Sequence, residues 1–91
     1  MQFEWDDRKA GRNLSRHRVS FAEAQTVFRD PLARIDNDPD HSLEENREII
    51  IGYSAASRLL LVSFVQRGET IRIISARKAN TKERHRHEEE I

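Results

Sequence analysis

An α+β fold, with helices segregated from an antiparallel sheet, is the class this sequence predicts, and three observations predict it. Two stretches with helix-start signals come first, between a short opening strand and residue 31. Three β-rich runs, Arg47 to Tyr53, Arg58 to Val65 and Thr70 to Ala76, follow with only short turn-like connections, as in an antiparallel meander. A last cap signal then opens a C-terminal helix, so strands and helices do not alternate as they would in a parallel α/β fold. At 91 residues, the chain is expected to be a single domain over 1–91 with one core.

Each element has a local cause. Gln2 to Trp5 alternates polar and apolar residues, which suits a short strand, and Asp6 or Asp7 offers an N-cap for a helix running to about His17. Ser20-Phe21-Ala22-Glu23 has the spacing of a capping box, and Phe21, Ala24, Val27 and Phe28 recur at helical spacing behind it. Asp30-Pro31 ends that helix, because proline disfavours helical geometry in the residue before it. A strand is expected at Leu32 to Asp36, then a loop dense in turn formers, Asn37-Asp-Pro-Asp-His-Ser. Asn80 or Thr81, with Glu83 behind, caps the final helix. Its apolar face is nearly absent, so it is expected to dock by few residues or be held by another chain.

Composition narrows the function. The chain is 36% hydrophobic and 35% charged, with no cysteine, which excludes disulfides and thiolate metal sites and suits a reducing cytoplasm. No apolar run approaches the roughly 20 residues of a membrane span, so a soluble protein is expected. The formal net charge is zero, yet residues 58–87 carry eight Lys/Arg against Glu69 and Glu83, while residues 20–50 are acidic. A neutral chain with a basic half can hold a polyanion on one face.

The candidate residues lie in that basic half and on the first helix. Lys9, Asn13, Arg16 and His17 fall at i, i+4, i+7 and i+8, one polar stripe without an acid. In the last strand, strict alternation puts Ile71, Ile73, Ser75 and Arg77 on one face and Arg72, Ile74 and Ala76 on the other; only a bulge would unite the two arginines. Guanidinium groups suit phosphate because they donate paired charge-assisted hydrogen bonds. The competing reading for each arginine is a structural ion pair, with Glu45 or Glu83 as partner. His17, His41, His85 and His87 are the groups suited to proton transfer near neutrality. The His-Arg-His spacing is poor for a metal, and neither a metal nor a cofactor is expected.

The stretches FEWDDRKAGRNLSRHRVSFAEAQTVFRDP, DHSLEENREIIIGYS and RIISARKANTKER together resemble the BrnT toxins of bacterial type II toxin-antitoxin systems, across nearly the whole chain. The resemblance implies a RelE-like (barnase-like) fold, with two N-terminal helices and a C-terminal helix packed on an antiparallel sheet. It implies a metal-independent endoribonuclease that stops translation in the cytoplasm. It also implies a BrnA-type antitoxin, bound in a 2:2 complex around a toxin homodimer, which alone contacts operator DNA. Carried onto this sequence, the catalytic set is Lys9, His17, His41, Arg72 and Arg77, with the arginines on the phosphate, Lys9 as second cation and His17 or His41 moving protons. Asn13, Arg47, Ser75, Arg84 and His87 are the RNA-binding set. Many relatives have tyrosine four residues after the glutamate of ARKANTKER, and here that place is His87. The alternative function is a module that binds RNA or a partner without cutting.

Overall fold

The computed structural model describes residues 1–38 and 46–90. The described elements are β1 (Gln2–Glu4), α1 (Asp7–His17), α2 (Phe21–Thr26) running into a 3-10 turn (Val27–Arg29), β2 (Arg34–Asn37), β3 (Arg47–Tyr53), β4 (Leu59–Arg67), β5 (Thr70–Lys78) and α3 (Thr81–Glu90). The strands form one sheet in the order β1-β5-β4-β3-β2. β2 to β5 pair antiparallel, as the short connections require. β1 instead runs parallel to β5, with Phe3 opposite Ile71, so the sheet is mixed and not antiparallel throughout. A parallel neighbour needs a long crossover, and the chain between β1 and β5 supplies one.

Local chemistry sets the boundaries. The Asp6 carboxylate accepts from the Arg8 and Lys9 N–H groups at 2.8 and 3.1 Å, and the left-handed Arg18 closes α1. Gly68, at φ 61°, turns β4 into β5. Asn80 and Glu83 form a reciprocal capping box at the start of α3, each side chain accepting from the other's N–H at 2.8 and 2.9 Å.

At Ser20 the box is only half made. The Ser20 hydroxyl accepts from the Glu23 N–H at 3.0 Å, but the Glu23 carboxylate turns away to the β3–β4 turn. There it accepts from the Ser54 hydroxyl at 2.7 Å and from Arg58 Nε at 2.9 Å, with a second, closer contact to the same guanidinium. Arg58 thereby becomes a structural tie between α2 and the sheet. Hydrogen bonding from Arg58, ahead of that from Ser54, holds the Glu23 carboxyl below its ordinary value. A depressed folded-state value stabilises the fold above the unfolded-state pKa near 4.5 and loses that effect as the pH falls through the folded value. Glu23→Gln is therefore expected to lower thermal stability at neutral pH and to flatten the acid limb below about pH 4.5, read from unfolding midpoints across an acid titration.

The two sheet faces differ. Val19, Phe21, Ala24 and Val27 pack with Ile50, Leu60, Val62, Phe64, Ile71, Ile73 and Ala76 in a buried cluster. Phe28 bridges it by edge-on contacts to Phe3 and Phe64, with centroids 5.2 and 5.0 Å away. Gly52 lets β3 pass under the 3-10 turn: a Cβ there would lie 2.8 Å from the Ala33 Cβ and 3.1 Å from Val27. The opposite face is partly covered by α3. No described helix is long and apolar enough to cross a membrane.

Candidate active site

A one-residue bulge in β5 decides which side chains share that opposite face. Phe64 pairs with Ile73 and Ser63 with Ser75, so Ile74 has no partner residue on β4. Alternation resets there, and the core side reads Ile71, Ile73, Ala76 in place of the regular sequence expected. Arg72, Ser75 and Arg77 consequently stand opposite Val65, Ser63 and Leu61, residues two apart on β4 and so on one face. The bulge that would unite Arg72 with Arg77 is present.

Reading across the sheet, Arg47 pairs with Val65, Val65 with Arg72, and Arg72 with Glu4. Arg47 and Arg72 thus flank one buried valine, with Cα atoms about 10 Å apart at the usual strand spacing. Arg72 lies 3.6 Å from a Glu4 carboxylate oxygen, a loose and partly exposed ion pair. The next row places Ile49, Ser63 and Ser75 side by side. Arg77 differs from Arg72, since its two terminal nitrogens each donate to one Glu83 oxygen at 2.8 Å. That fork holds the Glu83 carboxyl below its ordinary value and fastens the first turn of α3 to the sheet. The structural ion pair weighed for Arg77 is therefore made, on the same face as Arg72.

The helix contributes a groove along the edge of β5 beyond the end of β1, lined by Lys9, Arg12, Asn13, Arg16, His17, Ile74 and Ser75. Three cations and a histidine meet there without a carboxylate. Ser75 lies in this groove and on the arginine-bearing face, and so joins the two surfaces. Asn13 has a different task from the RNA contact expected of it. Its amide nitrogen donates to the carbonyls of Val19 and Ala76 at 2.9 and 2.8 Å, and its oxygen accepts from the Ala76 N–H at 3.1 Å. Buried at 7% exposure, it clamps α1 to the open edge of β5.

His87 also departs from expectation. It is 2% exposed on the inner side of α3, beside the Tyr53 ring, and lines the cavity between α3 and the sheet. Neither of its ring nitrogens has a hydrogen-bond partner among the described residues. A buried polar group without a partner costs about 1–3 kcal/mol. His87→Phe is thus expected to raise stability by about 1 kcal/mol and the melting midpoint by about 4–8 °C; an unchanged midpoint would mean the imidazole is satisfied in solution. Arg84 is exposed on α3, 4.0 Å from Glu88, and is not among the residues of the groove. His41 and Glu45 lie outside the described residues. Arg12 was missed by the sequence reading, although it stands three residues after Lys9 and could have been placed on the stripe by i, i+3 spacing.

A small α+β domain that gathers cations and hydroxyls on one sheet face and an adjoining helix has the surface expected of a protein for polyanions. The crystal structure of the Brucella abortus ribonuclease toxin, BrnT, matches it in fold with a TM-score of 0.70, covering 89% of this chain and 99% of that one at 24% identity. A comparison with curated proteins gives no match. The family model described as "Ribonuclease toxin, BrnT, of type II toxin-antitoxin system" matches residues 5–83, and the chain belongs to that family.

Proposed function

We propose that this chain is an endoribonuclease toxin that cuts RNA without a metal, through the substrate's own 2′-hydroxyl. The 2′-oxygen attacks the adjacent phosphorus and the bond to the 5′-oxygen breaks, leaving a 2′,3′-cyclic phosphate and a 5′-hydroxyl. A base takes the 2′ proton, an acid delivers one to the leaving oxygen, and cations hold the charge that builds on the phosphorane. Arg72 is the principal phosphate ligand in this reading, with Arg47, Ser75 and Lys9 along the strand's path and His17 or His41 moving protons. Arg77 contributes by exchanging part of its Glu83 pairing for phosphate. The observation that carries the reading is the bulge at Ile74, which aligns Arg72, Ser75 and Arg77 beside the groove of α1.

The fold is read as a RelE-like, barnase-like variant, and the cell consequence as arrest of translation in the cytoplasm. A BrnA-type antitoxin covering this face would silence it in a 2:2 complex and carry the contacts to operator DNA. A second reading, binding without cleavage, is favoured by one observation: the Arg77 fork is already occupied by Glu83. Incubating the purified chain with single-stranded RNA in EDTA separates the two. Shortened products ending in cyclic phosphate are expected, and intact RNA that is nonetheless retained by the protein would establish the binding module instead.

A further inference from the structure

Among the described residues β2 leaves its edge of the sheet open, and its residues are self-complementary. β2 is the outer strand, all four of its residues are exposed, and nothing described pairs with its far side. Of the four large apolar side chains exposed among the described residues, Ile35 sits on this strand and Leu32 in the turn just before it, each 54% exposed. Such an edge is a template for another strand unless charge or irregularity blunts it. Arg34 and Asp36 are charges of the kind that usually repel a second copy, but they are of opposite sign and flank a single isoleucine.

The direction of the free backbone groups follows from the ladder. The Asp38 N–H donates to the Arg47 carbonyl at 2.9 Å, towards β3. In an antiparallel pair alternate residues turn both backbone groups to the same side, so Asp36 and Arg34 also face β3, while Ile35 and Asn37 present theirs outward. A twofold axis through Ile35 then satisfies both outward groups of Ile35 and the Asn37 N–H, while the Ala33 N–H stays with the Asp30 carbonyl of its own chain at 3.1 Å. The two Ile35 residues exchange both backbone hydrogen bonds, and each Asn37 N–H reaches the carbonyl of Ala33 of the partner subunit. The same axis places Arg34 opposite Asp36 of the partner subunit, and Asp36 opposite Arg34 of the partner subunit. Directly opposed unlike charges favour such a pairing and like charges oppose it.

We infer that β2 pairs antiparallel with β2 of a second copy of this chain, about a twofold axis at Ile35, to form one sheet continuous through both molecules. The charge pattern argues for this occupant: an acid and a base two residues apart meet their opposites in a second copy, and Arg34, which pairs with Glu90 of α3 at 3.1 Å, keeps 48% of its side chain exposed. Because the axis stands perpendicular to the sheet, the faces bearing Arg47, Arg72 and Ser75 open on the same side of the dimer. The inference does not depend on whether that face cuts RNA.

Sedimentation of the free chain over rising concentration is expected to show a monomer–dimer equilibrium. Asp36→Arg, which breaks no ion pair described within the chain, should raise the dimer dissociation constant by about tenfold by opposing two arginines at each side of the axis. The double exchange Arg34→Asp with Asp36→Arg should bring it back towards the parental value, in part only, because it also removes the Arg34–Glu90 ion pair within the chain. The chain lacks cysteine, so Ile35→Cys introduces a lone thiol at the axis, where opposed Cα atoms of a hydrogen-bonded pair stand within disulfide reach. Mild oxidation should link this variant into dimers and leave Leu14→Cys, exposed on α1, unlinked. A chain that stays monomeric to millimolar concentration with Ile35→Cys unlinked would overturn the inference. So would a dimer indifferent to Asp36→Arg, or β2 amides protected from exchange only when an antitoxin is bound.

Discussion

Arg72→Ala is expected to slow RNA cleavage by about 100- to 1000-fold, the effect of removing one preorganised charge donor from a phosphoryl transition state. Its effect on folding should be slight, because the only ion pair described for this side chain is the 3.6 Å, partly exposed contact with Glu4. Cleavage of a labelled RNA and a thermal melt on the same preparation check both halves of the expectation. Cleavage at the parental rate would remove Arg72 from the mechanism; a collapsed melt would make it a structural residue. Arg77→Ala serves as the contrast. It should reduce cleavage and also loosen α3, since Glu83 loses the fork that fastens it.

The second large effect belongs to Asn13. Truncation to alanine leaves the Val19 carbonyl and both backbone groups of Ala76 without their partners in a buried place. At about 1 kcal/mol or more for each, the loss reaches about 3 kcal/mol and lowers the melting midpoint by about 10 °C or more. Asn13→Asp should be no better, because it keeps the acceptor and turns the donor into a carboxylate oxygen facing two carbonyls. Thermal unfolding of the two variants decides the matter. Midpoints equal to the parent's would mean the amide acts in RNA binding and not as a clamp.

Much of this arrangement could be read from the residues, and the unread parts have identifiable causes. Helix starts were legible because Asp6, Ser20 and Asn80 cap by local hydrogen bonds that need no tertiary partner. The meander was legible from its short turns. The parallel seat of β1 was not, since three residues carry no signal of which strand will receive them. The bulge escaped alternation for a related reason. Ile74 is as apolar as its neighbours, so which isoleucine loses its partner depends on the fit of Phe64, Val62 and Ala76 in the core. Side-chain roles were least legible where a residue had two plausible uses. Glu83 was one of two carboxylates expected to pair with an arginine and takes Arg77, whereas Glu23 was expected to complete a box and serves Arg58 instead. Asn13 and His87 looked like surface polar groups on helices because periodicity alone does not reveal which polar side chain a neighbouring element will bury.

The two sides of the sheet divide labour in a way that bears on how such proteins diverge. The main core cluster points one way from β3, β4 and β5, while Arg47, Arg72, Ser75 and Arg77 point the other, from the same backbone. A change in the polar groups displayed on that second face therefore requires little repacking of the main core, and drift in that core need not disturb them. Homologues can part company in most of their letters and still superimpose, as this chain does with its Brucella counterpart at 24% identity.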